Sequence, residues 1–419
     1  MEKRMTRFWR SFLSLLITTA AFADNTNLYE PLVTQGCDTD CCGFTLPLPC
    51  HPPVCAYNAA DVIDTFCPYD VIVSATYLYW QAMQEGLEIG HTRDQTTDFD
   101  FFGSQDAPRN QNSDIIFGMN FKYSSGFKVS LGTVGRGDDW EVNVRYTHLE
   151  QTATGSASVS NQLIDTDNML EFSGIEAYWS FLDSTSVRFQ DANATWDLRM
   201  KHFDFELARS YFVGKYLTFR TCYGIRLSKI KQNYQAHYSG LRRPESGSET
   251  PFLNTTFNSD STSSFKSWGA GPRAGLNTSW KFFSGMRLYG NVAGALLYTE
   301  YEQMSIESTL AELLPLGITV NEDSLETAYQ NNPFYLRAQL DFELGWGWGA
   351  YLCSNRFYVD LTVGYSCHTF WDQNILPAYP VVTSVSQNNV SQDRVTSRYL
   401  STYGNLYVHG LDVGLSVQF

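Results

Sequence analysis

Long stretches of this chain alternate apolar and polar residues with a period of two, the signature of strands that turn one face to an apolar surrounding and the other to water. The clearest runs over 334–350, where Phe334, Leu336, Ala338, Leu340, Phe342, Leu344, Trp346 and Trp348 share one parity and Tyr335, Arg337, Gln339, Asp341 and Glu343 the other. Residues 139–155, 215–230, 264–282 and 356–371 repeat the pattern, as do Tyr407, Leu411, Val413, Leu415, Val417 and Phe419 at the carboxyl end. Short connections fall at Gly135–Asp138, Val213–Gly214, Phe283–Gly285 and Cys353–Asn355, and long polar stretches separate the remaining pairs. The spacing predicts ten antiparallel strands, near 71–89, 113–134, 139–155, 194–212, 215–238, 264–282, 285–305, 334–352, 356–371 and 405–419. A hairpin hidden within 156–193 or 372–404 would raise the number to twelve. In the fourth strand Trp196, Leu198 and Met200 share one parity and Phe203, Phe205 and Leu207 the other, so a bulge near Lys201–His202 is expected.

Short turns at one end, long loops at the other and an even strand number are the asymmetry of bacterial outer-membrane barrels. The final strand, closing on Phe419, resembles the signal that barrel-insertion machinery reads, so Phe419 is assigned to insertion. The amino terminus adds an export signal. Lys3, Arg4, Arg7 and Arg10 precede an apolar stretch from Ser11 to Ala20, and Ala21-Phe22-Ala23 offers small residues at the cleavage positions. The expected organisation is a signal peptide over 1–23, a Cys-rich periplasmic extension over 24–70 and a transmembrane β-barrel over 71–419. No later apolar run reaches the length of a membrane helix, about eighteen residues, so a membrane-spanning form has to be a closed barrel.

Composition fits this all-β reading. The chain has 25 Tyr, 28 Phe and 10 Trp, and aromatics gather as Tyr77, Tyr79 and Trp80, as Trp346 and Trp348, and as Phe370 and Trp371. Such rings suit the membrane–water interface. With 29 Lys+Arg against 44 Asp+Glu, a formal net charge of -15, and no basic stripe, a nucleic-acid partner is excluded.

The chemistry would lie on the inward face. Alternation turns Arg145, Arg220, Arg226, Arg273, Lys281, Arg287 and Arg337 inward, together with Glu141, Asp341, Glu343, Asp360 and Asp412. A barrel so lined must hold water or pair its charges. Water makes it a pore for small hydrophilic solutes and ions; complete pairing makes it a plugged anchor, or an adhesin acting through its loops. Acidic loop residues Glu307, Glu312, Glu322, Asp323 and Glu326 oppose the inward arginines, so anion preference should be weak or nil. His148, His237 and His368 fall near loop-side strand ends, but no Asp–His or Ser–His pair has the spacing of a catalytic motif. No enzyme activity, cofactor or metal is expected. The expected partners are outer-membrane lipid, the barrel-assembly machinery and further copies or envelope proteins.

Six of the nine cysteines, Cys37, Cys41, Cys42, Cys50, Cys55 and Cys67, precede the first strand in spacings foreign to the common zinc fingers, which favours disulfides in an exported protein. Cys353, in a short turn on the same side, could join them. Cys222 should face the lumen and Cys367 the outside.

Two blocks carry a resemblance. Gly126-Phe127-Lys128-Val129, then Gly132 and Trp140-Glu141-Val142, is similar to a hairpin of Legionella-type outer-membrane porins. Trp268-Gly269-Ala270-Gly271-Pro272-Arg273-Ala274-Gly275, followed by Trp280 and by Tyr289 to Tyr298, resembles that family's most recognisable block. The family includes major-outer-membrane-protein-like porins of Chlamydia-related bacteria. The resemblance covers about 67–419 and implies a porin of the outer membrane of a Gram-negative-type bacterium. The cysteines before Tyr69-Asp70 resemble those of the chlamydial proteins, which implies a disulfide-linked envelope role, although their spacing differs.

Overall fold

The computed structural model describes residues 61, 63, 70–92, 95–96, 115–135, 139–159, 164–166, 169–172, 174–179, 187–242, 256–282, 285–314, 318–328, 332–353, 356–376, 381–387, 390–396 and 402–419. All lie in the unit Cys42–Phe419. The signal peptide and the six amino-terminal cysteines fall outside the described residues.

Ten strands form the wall: β1 (Asp70–Gln84), β2 (Ser124–Val134), β3 (Trp140–Ser158), β4 (Val187–Phe212), β5 (Leu217–Arg242), β6 (Thr256–Lys281), β7 (Met286–Leu314), β8 (Phe334–Leu352), β9 (Phe357–Leu376) and β10 (Thr402–Gln418). Each pairs antiparallel with the next, and β10 pairs back with β1 from Ile72↔Gln418 to Gln84↔Leu406. The ring therefore closes at ten. The short strands within the loops, 164–166 with 169–172 and 381–387 with 390–396, form separate small sheets and add nothing to it.

The lower half of the wall obeys the alternation. On β2, Phe127, Val129 and Leu131 are exposed while Lys128, Ser130 and Gly132 turn inward. Tyr223, Ile225 and Leu227 of β5 and Leu361, Val363 and Tyr365 of β9 continue the apolar outer band. Backbone pairing around the ring satisfies every strand edge, as hydrocarbon demands. Tyr77, Tyr79, Trp346 and Trp371 are exposed on this band, as interface aromatics should be, but Trp80 and Phe370 point inward and are buried.

β4, β5 and β6 each run 26 residues and β7 runs 29, far beyond the roughly 9–11 needed to cross a bilayer. Strand 318–328 pairs along the far end of β7, from Ser305↔Ala328 to Leu314↔Ile318, and carries the wall further.

β4 corrects the expected bulge. Its pairing with β3 and β5 runs without a shift through Lys201 and His202, so Trp196, Leu198, Met200, His202, Asp204 and Glu206 all face inward. What changes at Met200–His202 is the character of the interior, from charged near the short turns to apolar near the long loops. Within the ring of ten, the register shifts among the described residues lie at Phe189/Asp191 and Lys266/Ser267, and between Phe370 and Asn374.

That apolar interior gathers Leu78, Leu149, Trp196, Leu198, Tyr234 and Leu406 from the wall with Leu87, Ile89, Ile175 and Trp179 from the loops. The stretch 85–89, expected to finish the first strand, leaves the sheet and turns inward, and 115–123, expected to begin the second, packs alongside. Trp179 lies 4.3 Å from Tyr234, ring to ring, and donates to the Glu88 carbonyl at 2.9 Å; Tyr238 donates to the Ile89 carbonyl at 2.8 Å. Gly155 of β3 makes this approach possible: a Cβ there would stand 2.7 Å from Ile89 and 2.9 Å from the Gly118 carbonyl.

Candidate functional site: the charged lumen

Below the apolar core, inward side chains from opposing strands meet as ion pairs. Arg220 of β5 grips Glu141 of β3 with two bonds of 2.9 and 2.8 Å, reaching across β4. Arg226 binds Asp204 at 2.6 Å and, three strands away, Asp341 of β8 at 2.7 Å. Glu206 of β4 is the common acceptor: Arg145 reaches it at 3.3 Å, Arg273 bonds to it, and Arg220 lies 3.8 Å away. On the far wall Asp412 of β10 accepts from Lys128 at 3.2 Å, the Trp80 indole at 2.5 Å and the Ser366 hydroxyl at 3.0 Å. Nearer the short turns Arg287 forks onto Asp360 at 2.5 and 2.6 Å, and Tyr289 donates to Glu343 at 2.8 Å. Forked arginine–carboxylate bonds hold these walls in fixed register.

Pairing does not fill the space. A cavity of about 350 Å³ lies among these groups, lined by the cations Lys128, Arg145, Arg220, Arg226 and Arg273 and by the carboxylates Glu141, Asp204, Glu206, Asp341, Glu343 and Asp360. Both ring nitrogens of His202, Nε2 of His368 and Oδ1 of Asn143 are buried here with no hydrogen-bond partner in the protein. Such atoms need water, so this half of the lumen is wet. The cavity ends where His202 of β4 stacks on Phe370 of β9, with ring centroids 5.5 Å apart, beneath the apolar core.

Of the inward residues expected from sequence, Arg145, Arg220, Arg226, Arg273, Asp341, Glu343 and Asp360 line the cavity. Arg287 meets it only through Asp360. Lys281 stands at the short-turn mouth, bonded to Asp61 ahead of β1, whose amide donates to the Ser210 carbonyl. Arg337 lies in the loop-side half, stacked on Tyr335 and Tyr301, with Asp372 at 3.8 Å. Sequence reasoning missed Lys128, Asp204, Glu206 and His202. The alternation of His202, Asp204 and Glu206 with Phe203, Phe205 and Leu207 carried the signal, once the apolar residues before it are understood as interior too. His368 is also interior, holding Asp341 at 2.9 Å, whereas His237 pairs with Asp260 on the exposed face. Cys222 faces the lumen, Cys367 and Cys353 are half-buried, and none of these three is in a disulfide. Among the described residues no group of three or more His, Cys, Asp or Glu side chains is arranged to hold a metal ion.

Residues 68–419 match the family model described as Legionella pneumophila major outer membrane protein precursor. No curated protein matches the chain. Among solved structures the chain is similar to the outer membrane protease OmpT from Escherichia coli, at 9% identity over 86% of this chain and 100% of that one, with a TM-score of 0.32. It is also similar to a major outer membrane protein from Thermus thermophilus, at 8% identity over 84% and 100% with a TM-score of 0.22, and to a Pseudomonas aeruginosa FadL homologue, at 10% over 84% and 90% with a TM-score of 0.21. These scores are too low to liken one barrel's interior to another's.

Proposed function

Because this chain belongs to the Legionella pneumophila major outer membrane protein family and folds as an outer-membrane barrel, we propose that it is a porin, a passive route for small hydrophilic solutes and ions. The observation that carries the reading is the wet, ionised cavity inside the wall, where five cations face six carboxylates. Ions and polar solutes can exchange for water there without crossing an apolar surface. The near balance of charge supports little selectivity, and the missed Asp204 and Glu206 weaken the anion preference that the arginines alone would give. The packed loop-side half makes this conformation the closed one, so conduction is expected as small, intermittent steps. On this reading the barrel catalyses no reaction, which a peptidase assay checks.

Planar-bilayer recording of the purified barrel under a salt gradient tests the proposal. Single-channel steps, however small and intermittent, support it; silence from correctly folded protein overturns it. The apolar core that fills the loop-side half favours a second reading, a structural anchor or adhesin acting through its loops, and silence would favour that one.

We further propose that the amino-terminal cysteines cross-link the protein to neighbours in the envelope. Cys353 sits in a short turn at the end of the barrel where Asp61 is bound, which supports a thiol chemistry on that side. Non-reducing gels should show oligomers that collapse with reductant, and Ser at Cys37, Cys41, Cys42, Cys50, Cys55 and Cys67 should abolish them.

A further inference from the structure

One region of the outer surface breaks the charge pattern of this acidic chain. Above the apolar band, on the long-loop side, the outward positions of β4 and β5 are basic. Lys201 stands directly opposite Lys229, and Arg199 opposite Lys231. The rows extend sideways, since Lys231 pairs with Lys266 of β6 and Lys201 with His148 of β3. Arg199 is held by Glu150 at 2.6 Å and Lys266 by Glu302. Lys201, Lys229 and Lys231 form no ion pair among the described residues. Like charges set opposite one another across a sheet are destabilising, so three adjacent unneutralised lysines call for an anion from outside the chain.

The row beneath says what kind. Next along the same face come Phe203 opposite Leu227, then Phe205 opposite Ile225, the start of the exposed apolar band. Tyr146 and His148 of β3 flank the boundary, and Trp268 stands beside Lys229. A ligand that satisfies both rows must carry negative charge at one end and hydrocarbon at the other.

We propose that this surface binds a phosphorylated lipid of the outer leaflet. Its phosphoryl groups lie on Lys201, Lys229 and Lys231, and its acyl chains lie along Phe203, Phe205, Ile225 and Leu227. The geometry suits the leaflet: in a barrel of this kind the long loops face outward from the cell, and basic side chains at that boundary attract anionic headgroups.

The test uses the full mature chain folded in phosphatidylcholine nanodiscs containing a minor share of bisphosphorylated lipid A, with bound lipid read by native mass spectrometry. The unaltered protein should retain the phosphorylated lipid. The triple variant Lys201→Gln, Lys229→Gln and Lys231→Gln should retain on the order of a hundredfold less, and the corresponding triple Lys→Arg should retain it fully. All three side chains are at the surface, and heat-modifiable gel migration checks that each variant is folded. Equal retention by the Gln variant overturns the proposal. So does equal retention of a dephosphorylated lipid A by the unaltered protein, or capture of inorganic phosphate as strong as that of the lipid. None of these outcomes depends on whether the barrel conducts.

Discussion

β4 belongs to two different environments, and its two halves are sequence patterns of opposite meaning. From His202 to Leu207 the inward residues are polar, His202, Asp204 and Glu206, and the outward ones are Phe203, Phe205 and Leu207. From Ala192 to Met200 the inward residues are Ala192, Ala194, Trp196, Leu198 and Met200, and the outward ones are Asn193, Thr195, Asp197 and Arg199. The backbone does not change; the solvent does. In lipid the apolar face must look out and the interior may be wet. Above lipid the outside is water, so the apolar face of β4 looks in and packs into a buried core. The lesson is that parity identifies a face, but only the surroundings say whether apolar means outside.

Six substitutions, in four tests, would break or sharpen this contrast. The largest effect is expected in the dry half. Trp196→Ala leaves a void among fully buried side chains and should cost about 3–5 kcal/mol, read by chemical unfolding of the detergent-solubilised barrel. If the loop-side core is what shuts the lumen, the same variant should also raise the open probability in bilayer recordings. Next comes the lipid face. Ile225→Arg, inside the apolar band, should cost about 1–3 kcal/mol, between the interface and midplane values, whereas Gln235→Arg, on the same outward parity of β5 but above the boundary, should stay within about 0.5 kcal/mol. Equal costs would mean that the boundary is misplaced. The wet half follows. Glu206→Gln removes the charge on which Arg145 and Arg273 converge and should cost about 1.5–3 kcal/mol, the scale of hydrogen bonds to charged groups. The last comparison is read by selectivity rather than stability: Arg273→Gln against Arg337→Gln. Only the first stands in the cavity, so only it should move the reversal potential toward cations; equal shifts would contradict a lumen confined to the lower half.

Much of this was legible in the chain. The wall was, because period-two alternation runs unbroken through long segments such as 334–350 and the short turns sit where the polarity pattern resets. The number and order of strands followed, as did the inward position of Arg220, Arg226, Arg273 and Asp341. What was not legible was depth. Local pattern carries no record of where the membrane stops, so the inversion at Met200–His202 looked like a defect in the strand. Nor does it say which polar-looking loop will send Ile89, Ile175 and Trp179 back into the barrel, since that depends on space left by a wall over a hundred positions away, as the Ile89–Tyr238 bond illustrates. For the same reason parity alone could not tell that Arg337 would pack against Tyr301 and Tyr335 in the loop-side half.

The pairing of β1 with β10 also has a consequence in time. Trp80 and Asp412, bonded across that seam, are separated by 332 residues, and the ladder ends with Val71 and Phe419 exchanging both backbone bonds. Every other ladder in the wall joins neighbours in sequence, so nine of them can form as local hairpins, while the tenth must wait for the whole circuit. Contacts between residues so far apart are the slowest to form, and until that seam zips the sheet carries two open edges able to capture any other strand. The last ladder is thus the commitment step of folding, and a cell making this protein must shelter those two edges until it is complete.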